Sequence, residues 1–153
     1  TFYLSPKDYH RIHAPYAGVI HHASVIPGQL WPVFPAAVEQ IDALFARNER
    51  LITYLSHPNQ PEQPLFAIVK VGATLVGSVR VTYDPTLQTR QGEQHIRHQH
   101  YTVPISIHKG DDLGTFAFGS TVVLIAAPNI ASFQHLITGQ SIRMGEQIGS
   151  ATF

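Results

Sequence analysis

Cysteine is absent from the 153 residues. That removes disulfides, thiolate nucleophiles and cysteine-held zinc together, and leaves the redox compartment unread. Charge is also scarce: charged residues make up 13%, with Lys plus Arg at 10 against Asp plus Glu at 10. Without clustered cations there is no electrostatic capture of nucleic acid, and no polybasic attachment to anionic lipid. Lysine is confined to Lys7, Lys70 and Lys109, leaving few groups for a lysine Schiff base. No charged side chain occurs from Leu113 to Ile142, yet this stretch does not read as a membrane span. Pro128, Asn129, Gln134, His135 and the glycines 114, 119 and 139 would bring helix breaks and unsatisfied polar groups into lipid. An initiator Met and a signal peptide are missing, so the chain is expected to be a piece of a longer product. What is present is apolar: 44% hydrophobic residues, enough for the core of one compact domain.

One segment carries a helical pattern. From Pro35 to Arg47, the residues Val38, Ile41, Leu44 and Phe45 fall on one stripe, with proline in the first turn and Arg47 in the last. The rest is short β-branched runs separated by turn residues. Strands are predicted over 18–26, 51–55, 65–71, 74–82, 100–107, 116–126 and 141–144. Breaks are predicted at Pro27-Gly28, 57–64, Gly72, 109–112 and Pro128-Asn129. Gln88 to His100 is polar and unpatterned, which reads as a mobile loop. The fold class is therefore mainly β, sandwich- or barrel-like, with one or two short helices in a single domain.

Two places hold residues suited to chemistry. Gly119-Ser120-Thr121 sits inside an apolar run, where glycine weakens a strand and marks a bulge or a close approach. Taken alone, a bulge with satisfied hydroxyls is the plainer reading. His10 and His13 are three apart, which in a helical turn would put both on one side, as a metal pair or an acid and base; packing beside Pro15 is the plainer alternative. His21 and His22 in a strand would face opposite ways, which suits no single metal ion. His95, His98 and His100 fall in the polar loop and are expected to be solvated. No metal site is expected.

Taken together, five blocks resemble phosphatidylserine decarboxylase. They are FYLSPKDYHRIHAP (2–15), VIPGQL (25–30), LFARNER (44–50), VGATLVGSV (71–79) and KGDDLGTF (109–116) running into FGST (118–121). They occur in the family's order and cover nearly the whole chain. The resemblance implies a self-made pyruvoyl group, formed by cleavage between Gly119 and Ser120. Ser120 Oγ attacks the Gly119 carbonyl, His13 accepts the proton, and the resulting ester eliminates to dehydroalanine, which hydrolyses to pyruvoyl and ammonia. The products would be a β chain, 1–119, and an α chain, 120–153. The ketone then condenses with the amine of phosphatidylserine and draws electrons from the bond to the departing carbon dioxide. His10 is expected to contact the substrate carboxylate and return a proton, and Tyr3 to orient the headgroup.

The resemblance further implies a phospholipid substrate, a homodimer of processed units and a peripheral place at the cell membrane. In the resembled enzymes the cleavage triad's Asp and the membrane-binding helices lie upstream of the FYL motif, so neither has a counterpart here. Asp8 matches the Asp of the DYH motif and is no substitute. Trp31 and Phe34 form an unusually apolar stretch that would dip into lipid if exposed and is core if buried. Two alternatives stand beside this reading. One is the same chemistry on a small soluble amino acid; the other is a β binding module that never processes itself.

Overall fold

A computed structural model describes residues 1–74, 78–90, 92, 94–117, 119–134 and 136–152, with the side chain of Ser120 outside that description. The elements in chain order are β1 (Phe2–Leu4), β2 (Arg11–His13), β3 (Gly18–Ile26), α1 (Pro35–Gln40), α2 (Leu44–Arg47), β4 (Arg50–His57), β5 (Gln60–Val71), β6 (Val79–Val81), β7 (Arg97–Ile107), β8 (Asp112–Phe116), β9 (Ser120–Ala126), β10 (Ala131–Phe133) and β11 (Gly149–Ala151). The mainly β class holds. An antiparallel six-stranded sheet runs in the order β1-β9-β5-β4-β3-β7, with a three-stranded sheet β2-β8-β6 and a ribbon β10-β11. The large sheet is open, so no barrel closes.

One core joins the layers. Leu51, Leu55, Ile68 and Val71 of the large sheet pack with Ile12, Val79, Val81, Leu113 and Phe116 of the small one, and with Val33, Ala37 and Leu44 from the helical segment. Cover on both sides explains why the central strands read as continuous apolar runs rather than alternating ones. In the small sheet Gly114 has φ +154°, and a Cβ there would lie 3.1 Å from Val81 Cα. Glycine lets β8 and β6 approach this closely.

Several expectations are corrected. The single helix is two: Ile41 is extended and Ala43 takes a left-handed φ of 52°. Nothing in 41–43 is a glycine or proline, so the break has no local signal. It lets both halves lay apolar side chains on the core and delivers Asn48 to a fully buried position. There the Asn48 amide donates to Trp31 O (2.8 Å) and Gly72 O (2.9 Å), and its Oδ1 accepts from Trp31 N–H (3.0 Å). Three bonds to buried backbone offset the cost of about 1–2 kcal/mol for a left-handed alanine.

Of the predicted strand 116–126, Ser120–Ala126 is β9, whereas Phe116 is the last residue of β8 in the other sheet, and Gly119 precedes β9 rather than bulging within it. No strand covers 141–144; Gly139 and Gly145, at φ 85° and 86°, turn the chain on either side. Of 74–82 only Val79–Val81 is strand, and 75–77 lie outside the described residues. The break expected over 57–64 shrinks to a turn at Pro58-Asn59. Pro61 and Pro64 lie in β5 beyond the reach of β9, whose pairing stops at Phe66 opposite Ala126, so their missing N–H groups cost no ladder bond there.

The polar 88–100 stretch is strand from Arg97 onward, because β7 is an edge and its outer side needs no apolar residues. His98 and His100 are solvent-exposed, as expected, but on that strand rather than in a loop. His21 and His22 do not simply face opposite ways. The β3 register slips between Ile20 and His22, so the rings of His21, His22 and His100 lie 5.5–6.2 Å apart, with His22 stacked on Tyr54 at 4.0 Å. Burial first, then the neighbouring imidazoles of His100, His21 and His98, hold the His22 pKa below its usual value. Among the described residues no three ligating side chains are grouped to hold a metal ion, and no helix is long and apolar enough to cross a membrane.

Candidate active site

The Gly119–Ser120 bond lies at the start of β9, one strand in from the β1 edge. Leu4 pairs with Ser120 and Tyr3 with Thr121 on one side, while Val71 pairs with Thr121 and Lys70 with Val122 on the other. A Cβ on Gly119 would sit 3.1 Å from Leu4 O, 3.1 Å from Pro6 N and 3.2 Å from Pro6 Cδ. Glycine thus lets the FYLSP segment pass directly over the bond. The Ser120 side chain lies outside the described residues. Tyr3 is 42% exposed beside this junction.

The chain then turns back at Ser5–Asp8. Ser5 N–H donates to Asp8 Oδ2 at 2.8 Å and Asp8 N–H to Ser5 O at 2.9 Å, so this carboxylate is spent on the turn. His10 follows. Its Nδ1 lies 2.5 Å from Asp8 O, and since a carbonyl only accepts, Nδ1 carries the proton. In the neutral ring Nε2 is then the acceptor, and it is buried with no partner among the described residues. The His10 carbonyl accepts from Phe116 N–H (3.0 Å) and from Thr115 Oγ1 (3.1 Å). This fixes His10 at the end of β8 that leads into Gly119.

His13 sits elsewhere. It pairs with Asp112 at the far end of β8, four residues from Phe116, about 13 Å along an extended strand. The helical-turn geometry considered for the two histidines is therefore replaced: His10 precedes β2 and His13 ends it. His13 Nδ1 lies 2.7 Å from Gly110 O, so it too donates to a carbonyl, and Nε2 accepts from the Tyr9 hydroxyl at 2.8 Å. The Tyr9 ring stacks on the imidazole at 5.7 Å and 16°. Gly110, at φ +90°, forms the turn that presents its carbonyl. A backbone carbonyl thus sets this tautomer, as a carboxylate does in Ser-His-Asp triads. The Arg11–Asp112 ion pair beside it is largely exposed and adds little stability. Among the described residues no hydrogen bond joins either imidazole to Gly119.

Two more side chains were given no role of their own from the sequence. The Thr121 hydroxyl is fully buried with no partner among the described residues. Lys70 is also fully buried: Nζ donates to Thr53 Oγ1 at 2.5 Å, which lies 2.7 Å from the Tyr83 hydroxyl. Burial without a carboxylate lowers the Lys70 pKa to about 7, and burial raises that of Tyr83. A lysine inside the apolar run Ala67–Val71 was the available signal for this group.

A mainly β domain thus carries a glycine–serine bond at a strand start, together with an imidazole nitrogen of His10 and a hydroxyl of Thr121 that are buried with no partner among the described residues. The family model described as phosphatidylserine decarboxylase matches residues 1–150, and the chain belongs to that family. It is 46% identical to the phosphatidylserine decarboxylase proenzyme of Anaeromyxobacter sp. (strain K), covering 99% of this chain and 53% of that protein. The proenzyme of Myxococcus xanthus (strain DK1622) is 41% identical over 99% of this chain and 52% of its own length. For that of Brevibacillus brevis the values are 40%, 98% and 52%. The chain spans about half the length of these curated relatives.

Proposed function

We propose that this chain is the catalytic part of a phosphatidylserine decarboxylase that cleaves itself between Gly119 and Ser120 and carries a pyruvoyl group at position 120. The observation that carries this reading is the glycine–serine bond at the start of β9, passed so closely by Leu4 and Pro6 that a Cβ at residue 119 would sit 3.1 Å from Leu4 O, next to a Thr121 hydroxyl that is buried with no partner among the described residues. A buried polar atom left unpaired costs roughly 1–3 kcal/mol, and catalytic sites are where such cost is retained. The membership of a family whose relatives are named proenzymes supports the same reading.

Cleavage is an internal acyl shift. Ser120 Oγ adds to the Gly119 carbonyl, and His13 Nε2 takes the serine proton; this requires the Tyr9 hydroxyl to turn away and the imidazole to be carried from the far end of β8 to the serine. Collapse breaks the bond to the residue-120 nitrogen, which recovers that proton, and leaves an ester. Elimination frees the Gly119 carboxylate, and one water releases ammonia from the dehydroalanine. The products are a β chain of 1–119 and an α chain of 120–153. The residues present fit the group: glycine at 119 leaves room for the overlying chain, and His10 Nε2 is the nitrogen free to meet a polar ligand.

The pyruvoyl ketone, when formed, supplies the electron sink for loss of carbon dioxide. With its Nδ1–H fixed by Asp8 O, His10 takes a proton from water at Nε2; that N–H contacts the substrate carboxylate and its proton then passes to the carbon. Tyr3 orients the headgroup. The product would be phosphatidylethanolamine. The two histidines separate experimentally: His13→Ala should stay uncut, whereas His10→Ala should cut and then fail to decarboxylate, losing about 10²–10⁴ in rate. The same defect in both steps for both variants would sink the division of labour.

The reading includes a phospholipid substrate, a homodimer of processed units and a peripheral position at the cell membrane. Trp31 is 41% and Phe34 48% exposed, on a loop that Asn48 ties to Gly72. The Arg47 guanidinium lies 6.0 Å over the Trp31 ring, which places a cation beside the apolar pair. Both features suit contact with an anionic lipid surface. Changing Trp31 and Phe34 together to Ser should weaken liposome binding at least about tenfold, from the apolar area withdrawn. Unchanged co-sedimentation would remove this loop from the membrane contact.

A further inference from the structure

Imidazoles gather where edge strand β7 meets β3. The register slip between Ile20 and His22 brings the His21 and His22 rings to 6.2 Å of each other. His100 on β7 lies directly across from His22, the two rings stacked at 5.5 Å and 17°, and its ring is 6.1 Å from that of His21. His98 lies across from Ser24, with Nδ1 2.9 Å from the Ser24 hydroxyl. On the β4 side, Tyr54 stacks on His22 at 4.0 Å. These rings therefore bridge β7, β3 and β4 on one face of the sheet.

Nothing on that face balances a positive charge. The row through His22 runs His100, His22, Tyr54, Ala67 and Ile125, and the next runs His98, Ser24, Ile52, Val69 and Val123, with no carboxylate in either. Arg50, further along β4 on the same face, is itself a cation. Among the described residues no ion pair includes a histidine. We propose that the cluster is a proton-sensitive latch on β7: neutral rings hold the strand against β3, and protonated rings repel one another and loosen it. Burial first, then His100, His21 and His98, holds the His22 pKa below its ordinary 6.5, so the folded chain refuses a proton that the unfolded chain accepts. The stabilisation is complete above pH 6.5 and is lost as pH falls from there through the lowered folded value. Loosening would reach beyond the edge, because β7 also carries Tyr101, whose hydroxyl donates to Asp84 Oδ2 at 2.9 Å, and the buried Ile107. The latch is independent of the chemistry proposed at Gly119.

Hydrogen exchange read strand by strand at pH 7.5 and pH 5, corrected for the slower intrinsic exchange in acid, tests this. In the unsubstituted chain the β7 amides should lose about tenfold in protection at pH 5, while those shared by β4 and β5 hardly change. His22→Phe keeps the stack on Tyr54 without a titrating nitrogen, and His100→Gln removes an exposed ring. Each should reduce the loss in β7, and together they should nearly abolish it while leaving protection at pH 7.5 in place. Equal β7 protection at the two pH values overturns the latch. A loss shared equally by β4 and β5 also overturns it, by showing general acid unfolding. So does a drop in β7 that survives the double substitution, since the trigger would then lie elsewhere.

Discussion

Replacing Ser120 by alanine should yield a single chain that never splits and never acquires a reactive carbonyl, with decarboxylation lost entirely rather than reduced. Alanine has no oxygen to add to the Gly119 carbonyl, and no neighbouring hydroxyl can replace it. Thr121, one residue on, would need a different peptide bond as its target. The fold should be indifferent to the change. Ser120 is held in β9 through its backbone register with Leu4, and that pairing needs no side chain. Melting within a few degrees of the unsubstituted chain, together with complete loss of cleavage by gel and of hydroxylamine reactivity, is the expected result. Residual decarboxylation by Ser120→Ala would mean that the electron sink arises elsewhere.

Lys70→Met should raise stability at neutral pH by a few kcal/mol and leave it nearly unchanged at pH 11. The folded-state pKa of Lys70 is lowered by burial to about 7, from an ordinary value of 10.5. Above 10.5 the amine is neutral in both folded and unfolded chains, and no cost arises. As pH falls from 10.5 toward 7, the unfolded chain binds a proton that the folded chain refuses, so stability declines through that window. At about 1.4 kcal/mol per unit the decline has an upper bound of about 5 kcal/mol, reached near pH 7 and constant below it. Loss of the Lys70–Thr53 hydrogen bond returns about 1 kcal/mol, and Thr53 keeps Tyr83 as a partner. Denaturant unfolding at pH 7 and pH 11 measures both effects. Equal or lower stability of Lys70→Met at pH 7 would show that the charge is accommodated.

The strands whose apolar runs are covered on both sides were legible. Gly18–Ile26 is predicted residue for residue, and 51–55 and 65–71 lie inside β4 and β5. What failed were places where tertiary context supplies the partner. The strand predicted at 100–107 lies inside β7, but the first residues of β7 read as loop because an edge strand tolerates Arg97, His98 and His100. The helix break at Ala43 leaves no trace because its reward is Asn48, buried against Trp31 and Gly72 across the fold. At the candidate site, Gly119, His10 and His13 were named by the resemblance. The spacing of the histidines said nothing of their separation along β8, since β2 is extended where a helical turn was the premise. Thr121 could not be found by composition, because an unpartnered hydroxyl is visible only once its surroundings are known. Lys70 could have been: an amine in the middle of an apolar run must titrate abnormally or find a rare partner.

The most direct measurement is the intact mass of the incubated chain under denaturing conditions. The account predicts two species broken between Gly119 and Ser120, the larger ending in an ordinary carboxylate. The smaller should be lighter by one ammonia than a serine-led 120–153 chain and should shift on treatment with hydroxylamine. A single species with the mass of the full sequence after prolonged incubation would contradict it.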